Sequence, residues 1–209
     1  GNERAETVAA YAPAWLAWHR NAMREQIRGS HGFRHCWGKY HMAHPEIFAV
    51  LPEGMTQPSP VPDRVKLCVA QPLVEELILR EWREAGRPAD WNVGPNDGQG
   101  YCVCPKCRAL DVPNTLDADP LAGYWNRAKV SLAGRYLDLG RRVLGRMRAE
   151  NPRVALRTLA YANYRIASAD MAPLGHVDGL VISYVPEGWT ARERASVAAW
   201  RQVIGARVL

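Results

Sequence analysis

The chain has 209 residues, of which 47% are hydrophobic and 23% charged, and its formal net charge is +6. This composition excludes an intrinsically disordered protein and supports a single domain over residues 1–209. The apolar stretches are much shorter than the roughly 20 residues that a membrane helix needs, so we expect no membrane segment in this chain. The excess arginines lie at helical spacing without interleaved aromatic residues. This pattern indicates a solvated helix face, so we expect no nucleic-acid partner.

The first third of the chain predicts two helices, one strand and a loop. Apolar and aromatic residues at helical spacing predict a helix over 5–28. A short segment rich in aromatic and imidazole side chains predicts a strand over 31–37. Pro45 near a first helical turn predicts a short helix over 44–51. Four prolines between residues 52 and 62 predict an irregular loop.

The rest of the chain alternates between strands and helices, which predicts an α/β fold with a parallel sheet. No strand leads into the G-x-G-x-x-G fingerprint of a doubly wound dinucleotide-binding sheet, so the pattern favours a (β/α)8 TIM-barrel type. A complete barrel needs about 250 residues. The chain starts at Gly1 and ends as a new strand begins at 206–209, so we expect an incomplete portion of a barrel from a longer protein. The strands are predicted over 65–69, 91–93, 155–162 and 179–185, and the helices over 72–85, 121–150 and 190–203.

Polar and aromatic side chains follow several of these strands. The loops after parallel strands meet on one face, where aromatic rings can stack on a sugar and polar groups can bind its hydroxyls. We therefore predict a carbohydrate-binding surface, the alternative being ordinary core and surface aromatic residues without a ligand. The predicted sugar-binding residues are His31, His35, Trp37, Tyr40, His41, Tyr161, Asn163, Tyr164 and Tyr184.

The dipeptide Asn96-Asp97 follows the predicted strand 91–93. Glycosidic cleavage needs a carboxyl group that exchanges a proton, usually one of a pair, and Asp97 is the first candidate. Glu187, after the strand 179–185, is the candidate for the second. The alternative is that Asn-Asp-Gly is turn chemistry and Glu187 a loop charge.

Three cysteines, Cys102, Cys104 and Cys107, form a C-x-C-x-x-C motif. With Cys68, or alternatively Cys36 or a histidine, they make the four ligands of a structural zinc site. In an exported protein the same residues would form disulfides instead, and free thiols are the third possibility. The sequence leaves these alternatives open.

Four motifs occur together in order, and on them the chain resembles a bacterial family of domains of unknown function, DUF4838, over about residues 30–190. That family resembles glycoside hydrolase barrels of the α-glucuronidase type, and some of its members are similar to endo-β-N-acetylglucosaminidases. The motifs are His44-Pro45-Glu46 with Phe48, Leu67-Cys68 through Pro72, Pro95-Asn96-Asp97-Gly98 leading to the cysteines, and Leu159-Ala160-Tyr161 with Asn163-Tyr164.

The resemblance implies a secreted or otherwise extracytoplasmic retaining glycosidase with a carbohydrate substrate and no cofactor required for catalysis. Asn96 and Asp97 match the Asn-Asp position of the family, so Asp97 is expected to act as acid or base. Asn96 is expected to orient the acetamido group of a β-N-acetylglucosaminide that serves as the nucleophile. The rival hypothesis is a non-catalytic carbohydrate-binding or zinc-stabilised domain. The sequence does not indicate the glycan or the oligomeric state.

Overall fold

The computed structural model describes residues 31–54, 61–113, 130–167, 171, 177–186, 191–204 and 207–208. The predicted helix over 5–28 lies outside these residues. Among the described helices, none combines the length and the apolar character needed to cross a membrane.

Helices and strands alternate along the described part of the chain. The α-helices are α1 (Cys36–Tyr40), α2 (Pro72–Glu84), α3 (Pro105–Arg108), α4 (Ala133–Glu150) and α5 (Ala191–Ile204). Single 3-10 turns cover Pro45–Ile47, Pro62–Arg64 and Ala162–Tyr164. The strands are β1 (Asp90–Asn92), β2 (Val112–Pro113), β3 (Val130–Ser131), β4 (Ala155–Ala160), β5 (Leu180–Tyr184) and β6 (Arg207–Val208).

The main sheet has the strand order β1-β4-β5-β6, and all three pairings are parallel. Trp91 of β1 pairs with Leu156 of β4. Leu159 of β4 in turn pairs with Ser183 of β5. Strands β2 and β3 form a separate antiparallel pair. Because parallel strands run in the same direction, the loops after β1, β4 and β5 leave the sheet at one edge, here called the carboxyl edge.

The core is formed by the sheet, by helix α4 packed on β4 and β5, and by helix α2 packed on α4. In α2, Val74, Ile78 and Trp82 recur every four residues and are buried, so one face of the helix is apolar. Helix α4 packs on β4 and β5 at Gly140, where an added Cβ would lie 3.4 Å from a methyl carbon of Leu180. The glycine therefore lets the helix approach the sheet closely.

The prediction of an α/β fold with parallel strands alternating with helices is confirmed. The strand order, however, is that of an open four-stranded sheet among the described residues, and a closed TIM barrel is not shown. The predicted helices over 72–85 and 190–203 correspond to α2 and α5. The predicted helix over 121–150 is described from Ala133 onward.

Two predicted strands are wrong. Residues 31–37 form turns and the start of α1, because Cys36 and Tyr40, four positions apart, both turn into the core. Residues 65–69 are extended but make a single antiparallel bridge, Phe48 to Leu67, outside the main sheet. The segment pairs with residues 47–49, since the Ala49 N–H donates to Lys66 O and the Cys68 N–H to Ile47 O.

Candidate functional site

Four cysteines form a cluster, here called the thiol cluster, consisting of Cys68, Cys102, Cys104 and Cys107. Their Sγ atoms all lie within 4.8 Å of one another. The Sγ atom of Cys68 is 3.7 Å from that of Cys104 and 3.7 Å from that of Cys107. All five cysteines of the chain are free thiols, so the disulfide alternative does not describe this structure. Cys36 lies outside the cluster.

The geometry of the thiol cluster fits a tetrahedral metal ion. Zinc–sulfur bonds are about 2.3 Å long, and a tetrahedron with such bonds has edges of about 3.8 Å. The separations of 3.7 Å around Cys68 match that edge. Four sulfur ligands select a metal such as zinc or iron over calcium or magnesium. The cluster therefore supplies a complete ligand set.

Backbone N–H groups and one cation surround the sulfur atoms. The Val50 N–H donates to Cys102 Sγ at 3.3 Å, and the Cys107 N–H to Cys104 Sγ at 3.4 Å. The buried Arg135 guanidinium donates to Cys102 O at 2.6 Å. Hydrogen bonds from the Cys107 and Cys68 thiols lower the pKa of Cys102, and the same hydrogen bonds raise the pKa of Cys68 and of Cys107, so one thiolate is shared within the cluster. This environment stabilises negative charge on sulfur.

Asn96, the residue before Asp97, connects its own loop by hydrogen bonds to the segments that contain Phe33 and Val65. Its side chain is buried, and its Nδ2 donates to Phe33 O at 3.0 Å and to Val65 O at 2.8 Å. Both amide protons are therefore used inside the protein. The two Nδ2 hydrogen bonds give Asn96 a scaffold role, while its buried Oδ1 makes no hydrogen bond to a described residue.

Asp97 lies on the loop after β1, and its side chain is 39% exposed. Its carboxylate is 4.0 Å from the guanidinium of Arg64. The neighbouring Lys66 is buried, and burial lowers its pKa to about 7 although the charge of Asp97 opposes that shift. Lys66 Nζ donates to Asn96 O and lies 4.6 Å from the ring centroid of Tyr101. A solvent-accessible carboxylate thus sits beside a buried cation and an aromatic ring.

The loop after β4 brings further tyrosines to the same edge. The Tyr164 ring lies 6.3 Å from the Tyr101 ring and 6.3 Å from the Tyr161 ring. Burial, together with the charge of Asp97 among other neighbours, raises the pKa of both Tyr101 and Tyr164. We call Asp97, Lys66, Tyr101, Tyr161 and Tyr164 the carboxyl-edge site. It contains residues of the loops after β1 and β4 and Lys66 of the segment 65–69.

The turn after β4 is strained. Ala162 has φ +46°, a left-handed conformation that is costly for a residue with a Cβ. The Oδ1 atom of Asn163 and the phenol oxygen of Tyr164 are buried, and no described residue makes a hydrogen bond to either. Strain and unsatisfied polar atoms both concentrate at functional sites. Tyr184, the last residue of β5, is also buried.

The histidine-rich segment is placed differently from the carboxyl-edge site. His31 and His35 line a cavity of about 570 Å³ beside β1, and Asp97 and Tyr161 do not line it. Trp37 and His41 stack on each other with ring centroids 5.0 Å apart. The Tyr40 hydroxyl donates to Glu81 at 2.6 Å. The predicted sugar-binding residues therefore fall into two groups, and Glu187 lies outside the described residues.

Sequence reasoning missed three charged residues that organise these regions. Glu81 accepts hydrogen bonds from the side chains of His35, Lys39 and Tyr40. Lys66 and Arg135 are buried cations on the carboxyl-edge site and the thiol cluster. Lys66 has a detectable signal, since it is a lone charge inside the apolar run 65–69. Glu81 and Arg135 look like ordinary charged residues of helices.

The family comparison covers most of the chain. A family model described as "Domain of unknown function (DUF4838)" matches residues 4–178. The match includes the thiol cluster and the carboxyl-edge site, and it ends just before β5. No curated protein and no solved structure matches the chain.

Proposed function

The chain belongs to the DUF4838 family, and we propose that it is a zinc-stabilised, glycoside hydrolase-like domain that acts on carbohydrate. The observation that carries the proposal is the carboxyl-edge site. There the charge of an accessible carboxylate, Asp97, acts on Tyr101 of the same loop and on Tyr164 of the loop after β4. A carboxyl group with aromatic neighbours at the carboxyl edge of a parallel sheet suits glycoside chemistry.

The strand order supports the barrel part of this proposal. In the main sheet each strand lies next to the strand that follows it in the sheet's chain order, β1 beside β4, β4 beside β5 and β5 beside β6. A barrel keeps one direction throughout, and one direction also occurs within each half of a doubly wound sheet. In keeping with the proposed glycoside hydrolase-like function, we propose that the sheet is an arc of a TIM-type barrel.

Asp97 is proposed to exchange the proton with the glycosidic oxygen. Its exposure lets a substrate reach it, and the guanidinium of Arg64 lies 4.0 Å from its carboxylate. Tyr101 and Tyr161 are proposed to present ring faces to the sugar. The two hydrogen bonds from Asn96 to backbone carbonyls are proposed to fix the loop after β1, and with it the position of Asp97 at the carboxyl edge.

The thiol cluster is proposed to hold one structural zinc ion. All four ligand positions are filled by protein sulfur, and such closed sites stabilise a fold without taking part in catalysis. The ligands Cys102 and Cys104 lie a few residues after Asp97. A bound ion would therefore fix the second half of the loop whose first half carries the carboxylate.

Asp97→Asn in the full chain tests the catalytic proposal. We expect cleavage of N-glycans with a chitobiose core, or of glucuronides, to fall at least about a hundredfold, since general acid–base catalysis contributes that much or more. Asp63→Asn is the matched control, because Asp63 is a half-exposed carboxylate paired with Arg34. Equal cleavage by wild type and Asp97→Asn would overturn the role of Asp97.

A non-catalytic, zinc-stabilised carbohydrate-binding domain is the second candidate. The observation that favours it is the thiol cluster, which is complete without any catalytic group. This candidate predicts about one zinc ion per chain and glycan binding without cleavage by the wild-type chain. Cleavage that depends on Asp97 rejects it.

A further inference from the structure

A second concave site lies beside β1, and Asp97 does not line it. It is a cavity of about 570 Å³, formed by the segment around His31 and His35, the end of α2, and the strands β1 and β4. Cavities that bind small molecules have volumes of this order and combine an apolar wall with a few polar groups. Here Trp91 of β1 supplies an aromatic surface.

Arg157 is the most informative residue of this cavity. It lies on β4, is only 8% exposed, and pairs through its Nε with the Asp90 carboxylate at 2.6 Å. Its Nη1 atom is buried and makes no hydrogen bond to any described residue. A buried guanidinium donor left without an acceptor costs free energy, so such a group marks a place where a ligand or water accepts from it.

The charges around the cavity favour a neutral ligand. Asp90 is occupied by Arg157, and Glu81 accepts from Lys39 and His35. The cations are thus already paired, and a free anion would meet these carboxylates. Carboxylate oxygens can still accept further hydrogen bonds, while Arg157 can still donate. Hydroxyl groups both donate and accept, and the Trp91 ring offers a surface for the apolar side of a sugar ring.

We propose that this cavity is a binding site for a neutral pyranose unit, with Arg157 and Asp90 bonding its hydroxyls and Trp91 contacting its ring. This site is separate from the carboxyl-edge site, and its occupation does not depend on hydrolysis by Asp97. It gives His31 and His35 a place in carbohydrate binding that the carboxyl-edge site does not provide.

Calorimetric titration of the full chain with chitotriose, with maltotriose and with glucuronate as the anionic probe tests the proposal. We expect a neutral trisaccharide to bind more tightly than glucuronate. Asp90→Asn should weaken that binding about tenfold, the effect of losing one charge-assisted hydrogen bond. The Asp90 side chain is half exposed, so this variant is expected to fold. Asp63→Asn is the control and should bind as wild type does.

Trp91→Ala provides the second variant, with thermal unfolding used to confirm that it is folded, and should also weaken binding by about tenfold or more. A chain that binds sugar with this dependence on Asp90 but cleaves nothing would uphold the cavity and reject the catalytic proposal. Absence of binding by wild type, tighter binding of glucuronate, or equal affinity in Asp90→Asn and wild type would overturn the cavity proposal.

Discussion

The thiol cluster and the carboxyl-edge site use the two halves of one loop, residues 94–107, but they are assembled in different ways. The cluster takes three of its four ligands from six consecutive residues, Cys102 to Cys107, and only Cys68 comes from elsewhere. The carboxyl-edge site needs Lys66, Asp97 and Tyr164, which lie on three separate segments. Local spacing therefore defines the first region, and long-range packing defines the second.

The largest effect is expected from a substitution in the thiol cluster, the region defined by local spacing. Cys107→Ser should abolish tight zinc binding and lower the free energy of unfolding by at least about 3 kcal/mol, because metal affinity is coupled to folding. Metal analysis of the purified chain and chemical unfolding measure the two effects. Cys36→Ala is the control, since Cys36 is buried but outside the cluster, and it should retain the metal.

Two outcomes contradict this prediction. One is a wild-type chain purified without metal that also fails to take up zinc. The other is a Cys107→Ser variant with the wild-type metal content. A red, iron-containing protein would support the four-cysteine ligand set but would identify the bound metal as iron instead of zinc.

An effect of intermediate size should distinguish the structural role of Asn96 from the proposed chemical role of Asp97, the next residue in the loop. Asn96→Asp removes both donors to Phe33 O and Val65 O, and should lower the free energy of unfolding by about 2–4 kcal/mol. Asp97→Asn changes a partly exposed side chain and should alter it by less than about 0.5 kcal/mol. Urea unfolding of the two variants measures both values. Equal destabilisation would remove the distinction between the two residues.

The smallest expected effect is on the pH dependence of stability, through the hydrogen bonds that Glu81 accepts. Burial alone would raise the pKa of Glu81, but hydrogen bonds from His35, Lys39 and Tyr40 outweigh it and lower the pKa from 4.5 to about 2. The stabilisation is therefore present above pH 4.5 and is lost as the pH falls toward 2. Because His35 and Lys39 are partly exposed, we expect only about 1–2 kcal/mol at neutral pH.

Unfolding of wild type and Glu81→Gln at several pH values tests this prediction. The difference in unfolding free energy between them should be constant above about pH 5 and should shrink toward pH 2. A difference that grows on acidification would show that Glu81 is not stabilised as a carboxylate.

Features defined by local sequence could be predicted from the sequence, whereas features that depend on residues distant in the chain could not. Helix α2 was predicted within one residue, since Pro72 marks its first turn and Gly86 follows its end. For the fourth ligand the sequence predicts Cys68, Cys36 or a histidine, and the fold brings Cys68 to the other three cysteines. The segment 31–37 was predicted wrongly as a strand, because the backbone partners that fix it, Gly94 and Pro95, are about sixty residues away. The scaffold role of Asn96 depends on Phe33 and Val65 and was hidden for the same reason.

The position of Cys68 has a topological consequence. Cys68 precedes α2, and the other three ligands follow β1. In the proposed zinc-bound form, the stretch from Cys68 to Cys102 is a closed ring that contains α2 and β1. A protease that nicks the backbone inside this ring would leave both pieces attached to the ion. The domain would then survive such a nick as one particle under native conditions, and a chelator would release the fragments.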